Sequence, residues 1–158
     1  MQKIPMTETG FKKLQQELEI LKQINRPKII NEIQKARAHG DLKENAEYHA
    51  AKEEQFIIES KIKEIENKLP IAEVIDVKKF TNNGKIIFGS TVKLTNMETR
   101  QTVTYKIVGE DESNIIENKI SIQSPIARAL IGKFIKNQIE INIPDGKVKY
   151  EINEVEYI

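Results

Sequence analysis

The chain has 158 residues, enough for one ordinary domain or two small ones. Charged residues make up 31% against 39% hydrophobic, and the net charge is only +1, so global charge does not mark a nucleic-acid binder. There are no cysteines, which excludes disulfides, thiolate zinc sites and a cysteine nucleophile. No apolar run approaches the roughly 18 residues of a membrane span. Met1-Gln2-Lys3-Ile4-Pro5 lacks a signal-peptide core, so a cytoplasmic protein without membrane attachment is expected.

The first element is a helix started by Thr7 as N-cap, with Met6 and Phe11 at the two positions of a hydrophobic staple. Phe11, Leu14, Leu18 and Leu21 then follow at spacings of 3, 4 and 3, a heptad seam. Ile29, Ile30, Ile33 and Ala36 continue the apolar face beyond Pro27, where a kink or break is expected. Gly40 suits the left-handed position just past the helix end. A second helix carries Tyr48, Ala51, Gln55, Ile58, Ile62, Ile65 and Leu69, alternately 3 and 4 apart.

Folding the second helix back on the first gives a testable register. Leu14 with Leu69, Leu18 with Ile65 and Leu21 with Ile62 all sum to 83. Nearer the turn, Ile33 with Ala51 and Ala36 with Tyr48 sum to 84. Both helices therefore agree on a hairpin centred at Asp41-Leu42, roughly 40 Å from Leu14 at 1.5 Å per residue. Alanines 36, 46, 50 and 51 crowd the turn end and should narrow it.

Beyond Leu69-Pro70 the pattern changes to strands over residues 73–77, 90–95, 102–108, 119–122, 138–143 and 148–155. Asn82-Asn83-Gly84 and Pro144-Asp145-Gly146 supply turn signals. One short helix interrupts them, with Ser124 as N-cap, Pro125 at its first position and Gly132 ending it. The expected organisation is an α+β chain. An antiparallel coiled-coil hairpin (1–72) with an acidic tip at 39–45 precedes a small, mainly antiparallel domain (73–158).

Two readings of the tip compete. In the first, Asp41 is the N-cap of the second helix and Glu44 its capping-box partner, worth about 1 kcal/mol. Arg37, Lys43 and Lys52 are then ordinary solvated charges. In the second, a long hairpin exists to deliver its turn, and the two carboxylates are hard oxygen ligands suited to Mg²⁺. Two acids alone do not hold that ion tightly, so a partner must complete the site.

The stretch Ala36-Arg37-Ala38-His39-Gly40-Asp41-Leu42-Lys43-Glu44-Asn45-Ala46-Glu47-Tyr48-His49-Ala50-Ala51 closely resembles the tip signature of the Gre family of bacterial transcript-cleavage factors, on its GreA side. The resemblance runs along the whole chain, from the Met1–Gly10 opening through Val74-Ile75-Asp76-Val77 to Ser124–Lys133. It implies an FKBP-like second domain and an accessory factor, not itself an enzyme. Such factors bind bacterial RNA polymerase at its secondary channel and stimulate the polymerase's own cleavage of backtracked RNA.

By the same resemblance, Asp41 and Glu44 are tip acids that help hold Mg²⁺ of the polymerase active centre, with no cofactor of the factor's own. Arg37 and Lys52 match a basic patch contacting the nascent RNA 3′ end. Ser124, Pro125, Ile126 and Arg128 match a polymerase-docking segment, and the factor is expected to act as a monomer. Two departures stand out. Ala38 replaces a residue often acidic in the family, and Lys133–Gln138 lacks the usual Gly-Asp turn.

Rival readings make separate predictions. An independent nuclease requires a metal site, yet His39 and His49, the only histidines, are not spaced as a paired site on one helix face. They read better as tip-packing or hydrogen-bonding residues. A channel-binding inhibitor of the same architecture carries a different acidic tip, and a non-catalytic coiled-coil adaptor has dispensable tip charges. Prolyl isomerase activity is disfavoured by the absence of tryptophan and the few aromatics.

Overall fold

A computed structural model describes residues 2–158; Met1, where the family resemblance begins, lies outside the described residues. The chain divides into two compact units, residues 11–72 and residues 3–10 with 73–158. Residues 3–10 thus group with the sheet-bearing unit, although α1 (Glu8–Ile20) begins among them.

The hairpin unit is built from α1, α2 (Arg26–Arg37) and α3 (Ala46–Lys68). Its buried seam is Leu21, Ile29, Ile33, Ala51, Ile58, Ile62 and Ile65, flanked by Leu14, Leu18, Tyr48 and Leu69. These are the heptad positions read from the sequence. Ile30 departs from expectation: it is 41% exposed while Ile29 is 1% exposed, because only one of two adjacent residues can face the seam.

The expected irregularity near Pro27 takes a specific form. Leu21–Asn25 is a π-helical turn, closed by the Arg26 N–H donating to the Leu21 carbonyl. A strict heptad continued from Leu21 would bury positions 28, 32 and 35, whereas Ile29, Ile33 and Ala36 are buried. The wider turn absorbs that one extra residue. It also explains why the paired numbers sum to 83 below it and 84 above it. Pro27, which has no N–H to donate, sits just beyond, at the start of α2.

Charged pairs flank the seam. Arg26 Nε and Nη2 form a fork with the Glu59 carboxylate at 2.7 and 2.8 Å. That hydrogen bond holds the Glu59 carboxyl below its ordinary range and raises the Arg26 guanidinium above its own. Lys22 pairs with Glu66 at 2.8 Å.

The second unit carries a five-stranded sheet and a short two-stranded one. The larger runs β5 (Lys119–Ser121), β4 (Thr102–Val108), β3 (Thr91–Asn96), β7 (Gly146–Glu156) and β6 (Gln138–Ile143). Every neighbouring pair is antiparallel except β4 with β5. The register of β3 against β7 shifts between Lys93 and Leu94, leaving Asn153 as the extra residue of a bulge. Thr95 donates its hydroxyl hydrogen to the Asn153 side chain there.

Alternation along these strands buries Val92, Leu94, Ile107, Ile139, Ile141, Ile152 and Val155 in one core. Ala127 and Leu130 of α4 (Pro125–Leu130) join that core. The loop after α4, which lacks a Gly-Asp turn, places Lys136 at φ 75° instead. Lys136 N donates to the Ile152 carbonyl at 2.7 Å and Ile152 N to the Asn137 carbonyl at 2.9 Å, which hold this left-handed residue in place.

The smaller sheet pairs β1 (Ile4–Thr7) with β2 (Ala72–Ile75). Thr7 ends β1 and caps α1 as expected, its Oγ1 accepting from Gly10 N at 3.1 Å. The Glu112 carboxylate receives the backbone N–H groups of Thr7 and Gly109, each at 3.0 Å. No helix among the described residues is long and apolar enough to cross a membrane.

Candidate functional site

The apex of the hairpin occupies residues 38–45, between the end of α2 and the start of α3. Gly40 takes φ +106°, the conformation expected past a helix end. Asp41, Leu42, Lys43 and Glu44 are all exposed.

The capping expectation for the two acids is overturned. The N-cap of α3 is Asn45, whose side-chain oxygen accepts from Tyr48 N at 3.0 Å. The Asn45 side-chain amide also donates to the Ala36 carbonyl at 2.7 Å, closing one end of α2 onto the start of α3. Asp41 lies four residues too early to cap. Its Oδ1 accepts from Lys43 N at 3.0 Å, a local turn within the apex. The Glu44 carboxylate makes no hydrogen bond or ion pair among the described residues.

Asn45 therefore carries the structural duty that the sequence pattern had assigned to Asp41 and Glu44. Replacing Asn45 by alanine removes a cap and an interhelical bond, each worth about 1 kcal/mol. The expected loss is about 1–2 kcal/mol of stability in urea unfolding.

The histidines serve the backbone and a neighbouring acid. His49 Nε2 lies 2.9 Å from the Lys43 carbonyl, and its ring meets Tyr48 edge-on with centroids 5.7 Å apart. His39 Nε2 is 3.4 Å from a Glu47 carboxylate oxygen.

Asp41 and Glu44 fit a hard cation as donors, one Asp41 oxygen and the whole Glu44 carboxylate being unengaged. They do not form a closed shell. Among the described residues no group of three or more His, Cys, Asp or Glu side chains could hold a metal ion. Further oxygen ligands must come from elsewhere.

Arg37, in the last turn of α2, and Lys52, in the second turn of α3, are both exposed. Lys52 Nζ donates to Gln55 Oε1 at 3.2 Å; neither cation forms an ion pair among the described residues. Both remain available to an anion.

In the second unit, Ser124 caps α4, its Oγ accepting from Ala127 N at 3.2 Å. Ile126 packs against the core, whereas Pro125 and Arg128 are exposed. Of the four residues in this segment, two therefore build the helix and two face outward.

Sequence reasoning missed Asn45, and it gave His49 a packing or hydrogen-bonding role without its partner, the Lys43 carbonyl. The signal for Asn45 was present, since asparagine is among the strongest N-cap residues. The His49 contact joins residues six apart across a turn and has no local pattern.

Residues 4–74 match the family model described as the N-terminal part of a transcription elongation factor. Residues 81–157 match the C-terminal GreA/GreB model. The chain is 57% identical to "Transcription elongation factor GreA" of Haemophilus ducreyi, covering 99% of both chains. It is 54% identical to the protein of that name from Yersinia pestis, covering 100% of both. A crystal structure of the GreA factor homolog Gfh1 of Thermus thermophilus is 24% identical, covering 98% of this chain and 99% of that one, with a TM-score of 0.44. With both halves matched by the family's models and more than half of all residues shared with such relatives, this chain belongs to the GreA/GreB family of transcription elongation factors.

Proposed function

We propose that this chain binds RNA polymerase and stimulates the polymerase's own Mg²⁺-dependent cleavage of backtracked nascent RNA, rescuing arrested complexes. The observation that carries this reading is the state of the apex. Two carboxylates are exposed at the end of a long hairpin, and the helix cap beneath them is supplied by another residue.

When an RNA 3′ end leaves the polymerase centre, hydrolysis needs hydroxide at neutral pH and charge neutralisation at phosphorus, which a bound magnesium ion supplies. The free Asp41 oxygen and the Glu44 carboxylate add hard oxygen donors to such a centre only while the hairpin is inserted. Arg37 and Lys52 stand one or two turns back from the apex and meet phosphates of the displaced RNA. Two cations are too few for tight RNA binding alone, since salt-dependent affinity grows with the number of phosphate contacts. Pro125 and Arg128 are the outward residues that dock the second unit on polymerase. One copy suffices, because every residue in this scheme comes from one chain.

The test compares two incubations with Mg²⁺. Labelled free RNA with this chain alone is expected to stay intact. The same RNA held in a stalled, backtracked polymerase complex is expected to lose its 3′ segment at once. Efficient cleavage of free RNA would make the chain a nuclease in its own right. Binding without cleavage would make it an inhibitor.

A further inference from the structure

The apex holds its acids through one residue that carries neither acid. Lys43 lies between Asp41 and Glu44, and both faces of its backbone are engaged. Its N–H donates to Asp41 Oδ1 at 3.0 Å, and its carbonyl lies 2.9 Å from His49 Nε2. The first bond engages one oxygen of the Asp41 carboxylate and leaves the other free. The second fixes the peptide plane that joins Lys43 to Glu44, and so sets where the Glu44 side chain departs.

His49 is well placed to act as an anchor. It sits in the first turn of α3, whose N-terminus is fixed by Asn45, and its ring is braced edge-on by Tyr48 at 5.7 Å. A carbonyl oxygen only accepts, so the neutral ring must carry its proton on Nε2. This contact is exposed and adds little to global stability, but it spans six residues of an otherwise loosely bonded loop.

We infer that His49 is a positioning residue for transcript cleavage, acting through its Nε2–H bond to the Lys43 carbonyl to hold Asp41 and Glu44 in one arrangement. The inference rests on the tip-acid reading above. Displacing a reacting group by about 1 Å can cost up to about 100-fold in rate, so loss of a loop anchor is expected to reduce turnover while leaving docking alone.

The experiment measures the cleavage rate of a backtracked complex against factor concentration for His49→Ala, His49→Gln and Asp41→Asn. His49→Ala is expected to lower the saturating rate about 10-fold, with the half-saturating concentration within about twofold of the parent. His49→Gln, whose amide can donate to the same carbonyl, is expected to recover most of that loss. Independently, ¹⁵N shifts of the neutral His49 ring in the free chain are expected to show the proton on Nε2. Parent-like cleavage by His49→Ala, an equal defect in His49→Gln, or a proton on Nδ1 overturns the anchor. Parent-like cleavage by Asp41→Asn would instead overturn the tip-acid reading, so the two failures are distinct.

Discussion

Asp41→Asn and Glu44→Gln, singly, are expected to reduce stimulated cleavage by about 100-fold or more while leaving the melting temperature unchanged. The size follows from removing a charged oxygen donor aimed at a centre where charge develops. The unchanged stability follows from the apex geometry. Asparagine keeps an oxygen that can accept from Lys43 N, and the Glu44 carboxylate has no partner to lose. Because Asn45 caps α3, even Asp41→Ala should move stability by no more than about 0.5 kcal/mol, the usual range for surface changes. Cleavage at the parent rate by both charge-neutral variants, measured in stalled complexes, would leave the acids without a role.

Shortening the hairpin by one heptad on each arm is expected to abolish stimulation while preserving polymerase binding. Removing residues 14–20 and 63–69 brings Leu21 and Ile62 into the positions now held by Leu14 and Leu69, so the seam stays in phase. The apex itself is untouched, with Asp41, Glu44, Asn45 and His49 all retained. It is withdrawn by about 10 Å, seven residues at 1.5 Å each. A displacement of that size places the acids beyond ligand distance of any centre the parent reaches. Competition of the shortened chain with the parent for polymerase separates lost reach from lost docking. Full cleavage by the shortened chain would mean that hairpin length serves something other than reach.

The parts of this molecule that are legible in its sequence are those governed by repetition. The seam of α3 could be read because Ile58, Ile62 and Ile65 recur at helical spacing and all three are buried. The strands Thr102–Val108 and Gln138–Ile143 were delimited to the residue by alternation between turn signals. Strand β1 escaped because Ile4-Pro5-Met6-Thr7 contains a proline and pairs only with β2, far along the chain.

The apex was misread in one respect for a physical reason. Asp41 and Glu44 satisfy the spacing of a capping box, but the chain needs the residues from Ala38 to Asn45 to reverse between two packed helices. The cap falls at the end of that reversal, where Asn45 can reach both Tyr48 N and the Ala36 carbonyl. Spacing alone does not carry that requirement. Nor does it reveal which residue holds the Lys43 carbonyl, a contact set by tertiary geometry.

The π turn at Leu21–Asn25 means that the first arm is written in two frames while α3 is written in one. Winding these five residues as plain α-helix, with none removed, would raise local regularity. It would also rotate everything towards the apex by about 100° relative to the base, since each helical residue advances by that angle. Ile29, Ile33 and Ala36 would leave the seam, and Ala36 would carry away the carbonyl that Asn45 holds. The irregular turn thus works as a phase correction, and lengthening or shortening this hairpin is tolerated only when both frames are respected.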